Sequence, residues 1–478
     1  MITNESKQQT KEISFAKALI GLVIPVGIMV PIVLVGVDLI FAYIAATFFL
    51  IIYGLVLGYK WDGLSKDMLK SGATMLEAAL MIALVGGLIG AWIIGGTIPS
   101  MIYYGLKLIS PQMFAPLTFL LCVITSMVTG SNWGTVGTVG VALFGVAAGM
   151  GFPLPLTVGA IVSGAVIGDK LSPLSDTTLL ASASTKTNLF DHVISMLYTT
   201  VPLIIICFVL YTVLGLKYST EDLNYSNISA LMDGLSANFN ISILTLLPLI
   251  LVLVLAFMRM PPLAVFGIGL AASIVFSVVL QPVALKDVFS AVVSGYSSNS
   301  GIDLIDNLLS RGGINSMLGV MMIAILAGML SGIMSHMSIL ETVINRMTGA
   351  LRSPAALVTL VALLCSGLAI GACDQYLILT LPGIAFRPSF DKADIHSAVL
   401  SRTLEDTGTV LTSIIPWSMT ASFIIATYGV PTLSYLPFAF FPLLSVFVCI
   451  INAWLGIGLF RTTDKVKFRP FWRRSKNA

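Results

Sequence analysis

The densest chemistry in the chain lies in Gly168-Asp169-Lys170-Leu171-Ser172-Pro173-Leu174-Ser175-Asp176-Thr177-Thr178. The ten residues from Asp169 carry two carboxylates, one ammonium and four hydroxyls, directly after an apolar run. Gly168 and Pro173 interrupt regular helix there and free backbone carbonyls. A donor set of oxygens alone suits a hard cation such as Na+, because the soft thiolate and imidazole donors are missing. A carboxylate at membrane depth also suits a proton, since burial disfavours its charged form. One aspartate can then hold either ion, and the two compete. The bland alternative is a cytoplasmic loop with a Lys–Asp pair and a helix N-cap at Ser175 or Asp176.

A second constellation is Thr129-Gly130-Ser131-Asn132-Trp133-Gly134-Thr135. Glycines bracket an amide and hydroxyls between two apolar runs, as an unwound or re-entrant segment requires; a tight polar turn at a membrane edge would read the same way. Later in the chain, Asp374 stands between two apolar runs beside Gln375 and Tyr376. An ionisable residue in that setting is costly to bury and is a functional candidate, the alternative being an interfacial aspartate. The stretch Glu405-Asp406-Thr407-Gly408-Thr409 adds two adjacent acids. On a helix they point ~100° apart, so one faces a given site, and Thr407 favours Asp406. Arg402, one turn earlier, is placed to neutralise either acid. The candidate ion or substrate residues are thus Ser131, Asn132, Thr135, Asp169, Ser172, Ser175, Asp176, Thr177, Asp374, Glu405, Asp406 and Thr407. Lys170 and Arg402 are the charge partners, and Na+ is expected at Asn132, Asp176 and Asp406. His336 reads as an interfacial packing residue, His192 and His396 sit in polar segments, Asp38 and Glu77 read as interfacial residues at span edges, and 337–353 as an amphipathic surface helix.

The elements that must position these residues are membrane spans. Of 478 residues, 57% are hydrophobic and 10% charged, with a mean hydropathy of +0.99. A soluble domain carries about 25% charged residues, so a water-soluble enzyme is excluded in practice. The net charge of +3 gives no basis for nucleic-acid binding. The five cysteines lie in apolar stretches without metal or redox spacing and read as reduced packing residues. No phosphate-binding GxxxxGK[ST] loop occurs, and no nucleophile–base pair or cofactor motif marks an enzyme. A span needs ~20 apolar residues. Candidate runs are 18–37, 38–59, 75–98, 113–130, 134–151, 153–168 and 192–216, then 241–257, 262–281, 317–336, 354–373, 375–386, 396–413, 414–433 and 435–460. Several are short or broken. The first reads as a retained span rather than a cleaved signal.

Charge sets an expected orientation. The tail from Arg461 has seven basic residues and one acid, which places it in the cytoplasm. Lys7, Lys11 and Lys17 place the N-terminal segment there as well. The linker, with one lysine against Glu221, Asp222 and Asp233, fits outside. Each half then crosses an odd number of times, so two similar halves would be inverted. Met81-Ile-Ala-Leu-Val-Gly-Gly-Leu resembles Met322-Ile-Ala-Ile-Leu-Ala-Gly-Met, 241 residues on. The same spacing sets Gly130-Ser-Asn-Trp on Gly371-Ala-Cys-Asp374, and Ser175-Asp176-Thr177-Thr178 resembles Glu405-Asp406-Thr407-Gly408 at another. Lys60, Lys66 and Lys70 would form an inside loop whose counterpart, with Asp303 and Asp306, falls outside. The expected fold is an all-α polytopic membrane protein with two inverted-topology repeats, broken helices or re-entrant hairpins and roughly 10–14 membrane segments. Its parts are a cytoplasmic segment 1–17, a first repeat 18–216, an external linker 217–240, a second repeat 241–460 and a basic cytoplasmic tail 461–478.

The Gly168–Thr178 segment resembles the characteristic segment of NhaC-type Na+/H+ antiporters of the ion transporter superfamily. The Gly130-Ser-Asn-Trp-Gly-Thr and Glu405–Gly408 segments resemble the same family, and the likeness extends over nearly the whole chain. The resemblance implies a bacterial inner-membrane transporter exchanging cytoplasmic Na+ for external H+, with paired inverted repeats, re-entrant hairpins and often a homodimer. Some relatives couple these ions to organic acids, as in malate/lactate exchange. No Asp-Asp pair of the kind found in other antiporters occurs here, which leaves the proton carrier open. No cofactor is expected, Na+ and H+ being cargo. The rival readings are a Na+-coupled exchanger of carboxylates or amino acids, held by Ser131, Asn132, Thr135, Lys170 or Arg402, and a passive channel.

Overall fold

The structure is a computed structural model that describes residues 13–468 apart from 109, 220–224, 259 and 348–352. Lys7, Lys11, Glu221 and Asp222, positions 348–352 of the amphipathic segment, and the basic tail residues Arg469, Arg473, Arg474 and Lys476 lie outside the described residues. Among the described residues the chain is helical throughout, without strands. Ten helices among these residues are long and apolar enough to cross a membrane, or up to 13 if each bent pair is one span. The protein is a polytopic membrane protein. Apolar side chains such as Phe41, Phe48, Ile52, Ile205, Val209 and Val279 stand on the outside, where hydrocarbon rather than water solvates them.

The first half comprises α1 (Phe15–Leu34), α2 (Leu39–Val56), α3 (Trp61–Thr74), α4 (Leu76–Ile94), α5 (Thr97–Leu108) and α6 (Pro111–Thr129). It continues with α7 (Asn132–Thr135), which runs through a π-helical turn at Val136–Gly140 into α8 (Val141–Met150). It ends with α9 (Leu154–Leu171), α10 (Asp176–Ser184) and α11 (Leu189–Ser219). A connecting helix, α12 (Tyr225–Asn238), leads to the second half. There a 3-10 turn at Ile243–Leu246 opens α13 (Leu247–Phe257), followed by α14 (Pro262–Leu280), α15 (Leu285–Ser294), α16 (Asp303–Leu309) and α17 (Ile314–His336). Then come α18 (Ile339–Met347), α19 (Pro354–Gly371), α20 (Gln375–Lys392), α21 (Ser397–Leu404), a π turn at Glu405–Thr409, a 3-10 turn at Val410–Ile414, α22 (Met419–Tyr428), α23 (Thr432–Tyr435) and α24 (Phe440–Trp454).

The two halves repeat one order of elements. Helix ends at Ile94, Thr129, Met150 and Leu171 recur at His336, Gly371, Lys392 and Ile414, at a spacing of 242–243 residues. Before α4 the spacing is smaller: α2 and α3 start at Leu39 and Trp61, α14 and α15 at Pro262 and Leu285, 223–224 residues on. The difference is an insertion around α16, between α15 and α17. Packing is reciprocal across the halves. α4 packs on α14 and α15, while its counterpart α17 packs on α2 and α3. A Cβ added at Gly86 would meet Met317 and one at Gly328 would meet Met75; one at Gly90 would meet the Ala291 carbonyl and one at Gly332 the Asp67 carbonyl. Each pair of contacts maps onto the other at the spacings just given, as two surfaces related by a pseudo-two-fold axis must. Small residues at these crossings let the backbones approach closely.

This register corrects the sequence comparison in three places. The starts of α7 and α20, Asn132 and Gln375, lie 243 residues apart, which sets the cap residue Ser131 on the cap residue Asp374, two residues from the 241-residue match. Glu405 and Asp406 correspond to Val162 and Ser163 within α9, not to Ser175 and Asp176. Lys60 is the residue before α3, and Lys66 and Lys70 lie on it rather than in a loop. Their counterpart is α15, whereas Asp303 and Asp306 belong to the insertion. The 337–353 segment does contain the amphipathic α18, with Ile339, Leu340, Val343 and Ile344 buried.

Candidate functional site

Four helix breaks meet at one cavity. They separate α6 from α7, α9 from α10, α19 from α20, and the Val410–Ile414 turn from α22. By the repeat register the first corresponds to the third and the second to the fourth. Each has a local cause. Gly130 adopts the left-handed conformation with φ of 65° and ends α6, and Ser131 then caps α7 by accepting from the Gly134 N–H at 3.0 Å. α9 stops at Ser172, before Pro173, whose ring cannot continue a helix. Asp374 caps α20, its Oδ1 accepting from the N–H groups of Tyr376 and Leu377 at 2.9 and 3.1 Å. Ser418 caps α22 through the Ala421 N–H at 3.0 Å.

The cavity has a volume of about 820 Å³ and takes walls from both halves. Thr129, Gly130, Ser131, Asn132, Asp169, Asp176 and Thr177 line one side, and Ser331, Asp374, Gln375, Tyr376, Met419 and Thr420 the other. Glu77 lies at its edge on α4. Met75, Met81, Met260 and Phe266 supply an apolar wall. Four carboxylates therefore face the space, and among the described residues no Lys, Arg or His lines it. Broken helices around a central site, offering carbonyls at helix ends, are the arrangement secondary transporters use for small cations.

Asn132 and Asp169 form a buried polar pair in this lining. The Asn132 Nδ2 donates to Asp169 Oδ2 at 2.9 Å. The other oxygen of each, Asn132 Oδ1 and Asp169 Oδ1, is buried with no hydrogen-bond partner. A buried acceptor left unpaired costs ~1–3 kcal/mol, and a cation between these oxygens would remove that cost. Asp176 is exposed to the cavity, starts α10, and accepts the Tyr376 hydroxyl at 2.5 Å across the two halves. Ser175 and Thr177 share a hydroxyl–hydroxyl bond of 3.0 Å. Asp374 Oδ2 accepts from Ser331 at 2.9 Å, and Gln375 Nε2 donates to Thr412 Oγ1 at 2.5 Å.

The remaining candidates form a separate, fully buried charge cluster. Lys170 pairs with Asp406, whose Oδ1 also accepts from Thr199 at 3.0 Å. The Arg402 Nε lies 4.0 Å from Asp406 Oδ2, and its Nη1 donates to the carbonyls of Ser195 and Gly458 at 3.3 and 3.1 Å. Glu405 holds the Thr409 hydroxyl at 2.6 Å from within the π turn. Turns of this kind inside helices recur at functional sites. Asp169 and Lys170, adjacent on α9, thus divide between the cavity and the cluster. Neither Glu405, Asp406 nor Thr407 lines the cavity, and the Thr407 hydroxyl returns to its own helix at the Thr403 carbonyl, 2.7 Å away. Thr135 likewise bonds back to the Ser131 carbonyl at 3.1 Å, and Ser172 accepts from the Leu174 N–H at 3.3 Å. Of the three expected Na+ ligands, Asn132 and Asp176 line the cavity and Asp406 does not, and among the described residues no three His, Cys, Asp or Glu side chains gather as a metal-binding group.

Sequence reasoning missed three contributors. Glu77, set aside as interfacial because it stands at a span edge, lines the cavity from the first turn of α4. Ser331 sits in the apolar α17 with nothing local to mark it. Thr199 had a signal: Thr199 and Thr200 interrupt the long apolar run of α11, and both are buried.

Comparison with known proteins identifies the family. The sequence model described as the Na+/H+ antiporter family matches residues 10–194 and 164–457. The Na(+)/H(+) antiporter NhaC of Alkalihalophilus pseudofirmus is 36% identical over 409 residues, covering 85% of this chain and 88% of its own. The malate-2H(+)/Na(+)-lactate antiporter of Bacillus subtilis is 36% identical over 424 residues, covering 88% and 90%. The arginine/ornithine antiporter ArcD of Halobacterium salinarum is 37% identical over 403 residues, covering 84% and 83%. The chain therefore belongs to the Na+/H+ antiporter family, of the NhaC type.

Proposed function

We propose that this protein is a secondary active Na+/H+ antiporter that extrudes cytoplasmic Na+ in exchange for H+. The observation that carries the reading is the set of carboxylates lining the cavity between the halves: Glu77, Asp169, Asp176 and Asp374, with no cationic side chain among the described lining residues. Such a space concentrates cations and repels anions. Na+ is held by Asp169 and Asn132 with help from Asp176 and the carbonyls at the helix breaks. A proton on the carboxylate removes the charge that holds Na+, so the two ions exclude each other. Alternating access follows when one set of helices moves against the other about the pseudo-two-fold crossing of α4 and α17. The proton gradient supplies ~1.4 kcal/mol per pH unit and ~2.3 kcal/mol per charge per 100 mV. The basic residues from Arg461 onward support a cytoplasmic C-terminus.

Exchange of small organic acids, the activity in the name of one relative, is the alternative. A cationic side chain would hold the substrate carboxylate most strongly, beyond what hydroxyls, amides and helix N-termini supply. Lys170 and Arg402, the natural choices, are buried around Asp406 and do not line the cavity, which favours Na+/H+ exchange. The test uses purified protein in liposomes carrying an internal pH dye and an imposed pH gradient. NaCl alone dissipates the gradient under the proposed function. A response that requires malate, lactate or an amino acid in addition to Na+ would replace it with coupled solute exchange.

A further inference from the structure

The repeat register exposes a relation between two hydrogen bonds on opposite walls of the cavity. Asn132 is the first residue of the helix after its break, and Gln375 is the first residue of the helix after the equivalent break. Asp169 stands two residues before the end of α9, and Thr412 two residues before the end of the Val410–Ile414 turn. Both pairs are thus equivalent positions, and each is joined in the same way: an amide donates to the second residue, Asn132 to Asp169 at 2.9 Å and Gln375 to Thr412 at 2.5 Å. The fold has built the same amide-to-oxygen bridge twice. Its chemistry differs. The first copy ends on a carboxylate and leaves two buried oxygens, one on each residue, without partners. The second ends on a neutral hydroxyl that also donates to the Thr409 carbonyl at 2.7 Å. Asp374, the nearby acid, already receives two N–H groups and the Ser331 hydroxyl.

We propose that Gln375 and Thr412 are a latent second cation site, emptied by the replacement of its carboxylate, so that the chain binds a single Na+ at Asn132 and Asp169. A threonine hydroxyl supplies one neutral oxygen where a carboxylate supplies charge, and a hard cation stripped of most of its water depends on that charge. The proposal rests on the Na+/H+ reading of the same cavity and goes beyond it by fixing how many cations are held and by which copy of the repeat.

The test counts bound ²²Na+ at saturation on the purified full chain in nanodiscs at alkaline pH. The wild type binds one Na+ per chain, and Asp169→Asn binds none. Thr412→Asp, which restores the carboxylate, raises the count to two. Thr412→Val covers the case in which an added buried acid impairs folding; it holds the count at one with affinity within about twofold, whereas Asn132→Ala weakens Na+ by tenfold or more. Two Na+ on the wild type, or a tenfold loss of affinity in Thr412→Val, would overturn the latent-site proposal and leave the antiporter reading standing. No saturable Na+ binding on a folded wild type would overturn both, beginning with the antiporter reading.

Discussion

Replacing Gly90 by alanine adds one methyl group where α4 crosses the end of α15. A Cβ there would lie 2.1 Å from the Ala291 carbonyl oxygen and 2.9 Å from its carbon. A comfortable C···O contact is ~3.3 Å or longer, so the backbones must separate by about 1 Å. Both obstacles are backbone, and no side chain can rotate away. Overpacking of this kind costs ~1–3 kcal/mol, and the rigid contact puts Gly90→Ala at the upper end. Gly332→Ala is its twin, with the new methyl 2.5 Å from the Asp67 carbonyl. Gly267→Ala on α14 is the control, because nothing lies within 4 Å of its Cβ position. There the helix gains ~1 kcal/mol from losing a glycine. The same chemical change therefore differs in sign between sites, by ~3–4 kcal/mol. Thermal unfolding of the purified variants in one detergent, followed by tryptophan fluorescence, reads the difference. Gly90→Ala and Gly332→Ala should both fall below the wild type and Gly267→Ala should match or exceed it. A Gly90→Ala variant as stable as Gly267→Ala would refute the close, reciprocal crossing on which the pseudo-symmetry rests.

Three other outcomes follow. In the buried cluster, Asp406→Leu should destabilise more than Lys170→Met: losing the acid strands two buried cations, whereas losing Lys170 leaves Arg402 4.0 Å from Asp406. Stranding a buried charge costs ~3–5 kcal/mol, and equal unfolding midpoints for the two variants would contradict the arrangement. Asp176→Asn should abolish Na+-driven dissipation of a pH gradient in liposomes at unchanged expression; near-normal exchange would remove Asp176 from the mechanism. In the insertion, the Ser300 N–H and the hydroxyls of Ser298 and Ser300 converge on Asp306 and hold its carboxyl below its usual range. A depressed carboxyl stabilises its loop above the unfolded value of ~3.9 and loses that contribution as pH falls through the folded value. The protection of the Ser300 amide, its exchange rate relative to an unstructured peptide at the same pH, should fall only below that range, and Asp306→Asn should lower it already at neutral pH.

Much of this architecture is legible in the sequence because membrane spans announce themselves by length and apolarity, and because hydroxyls, amides and carboxylates next to glycine or proline mark where helices break. The segments around Asn132, Asp169 to Thr177, and Asp374 all reach the cavity. α3 was not legible as a helix: its buried face is only Leu64, Met68 and Gly72, too narrow a stripe to read as a span. The register of the repeats was hidden by the insertion around α16, which changes the spacing between halves partway along the chain. Matching Glu405-Asp406 to Ser175-Asp176 followed shared residue types, while the backbone sets those acids opposite α9. The partnership of Lys170 with Asp406 joins residues 236 apart in sequence, and nothing local to either announces the other. The sequence also could not tell which of two neighbours on α9 faces the cavity. Packing decides that, turning Asp169 toward Asn132 and Lys170 toward Asp406.

The central claim is that Na+ and H+ compete for the carboxylate beside Asn132. It is tested by adding NaCl to purified protein in weakly buffered detergent solution and measuring the protons released per Na+ bound. The account predicts that Na+ binding expels protons in the wild type, that the release fades as pH rises and the carboxylate is already ionised, and that Asp169→Asn shows none. Saturable Na+ binding with no proton release at any pH, or an undiminished release in Asp169→Asn, would contradict it.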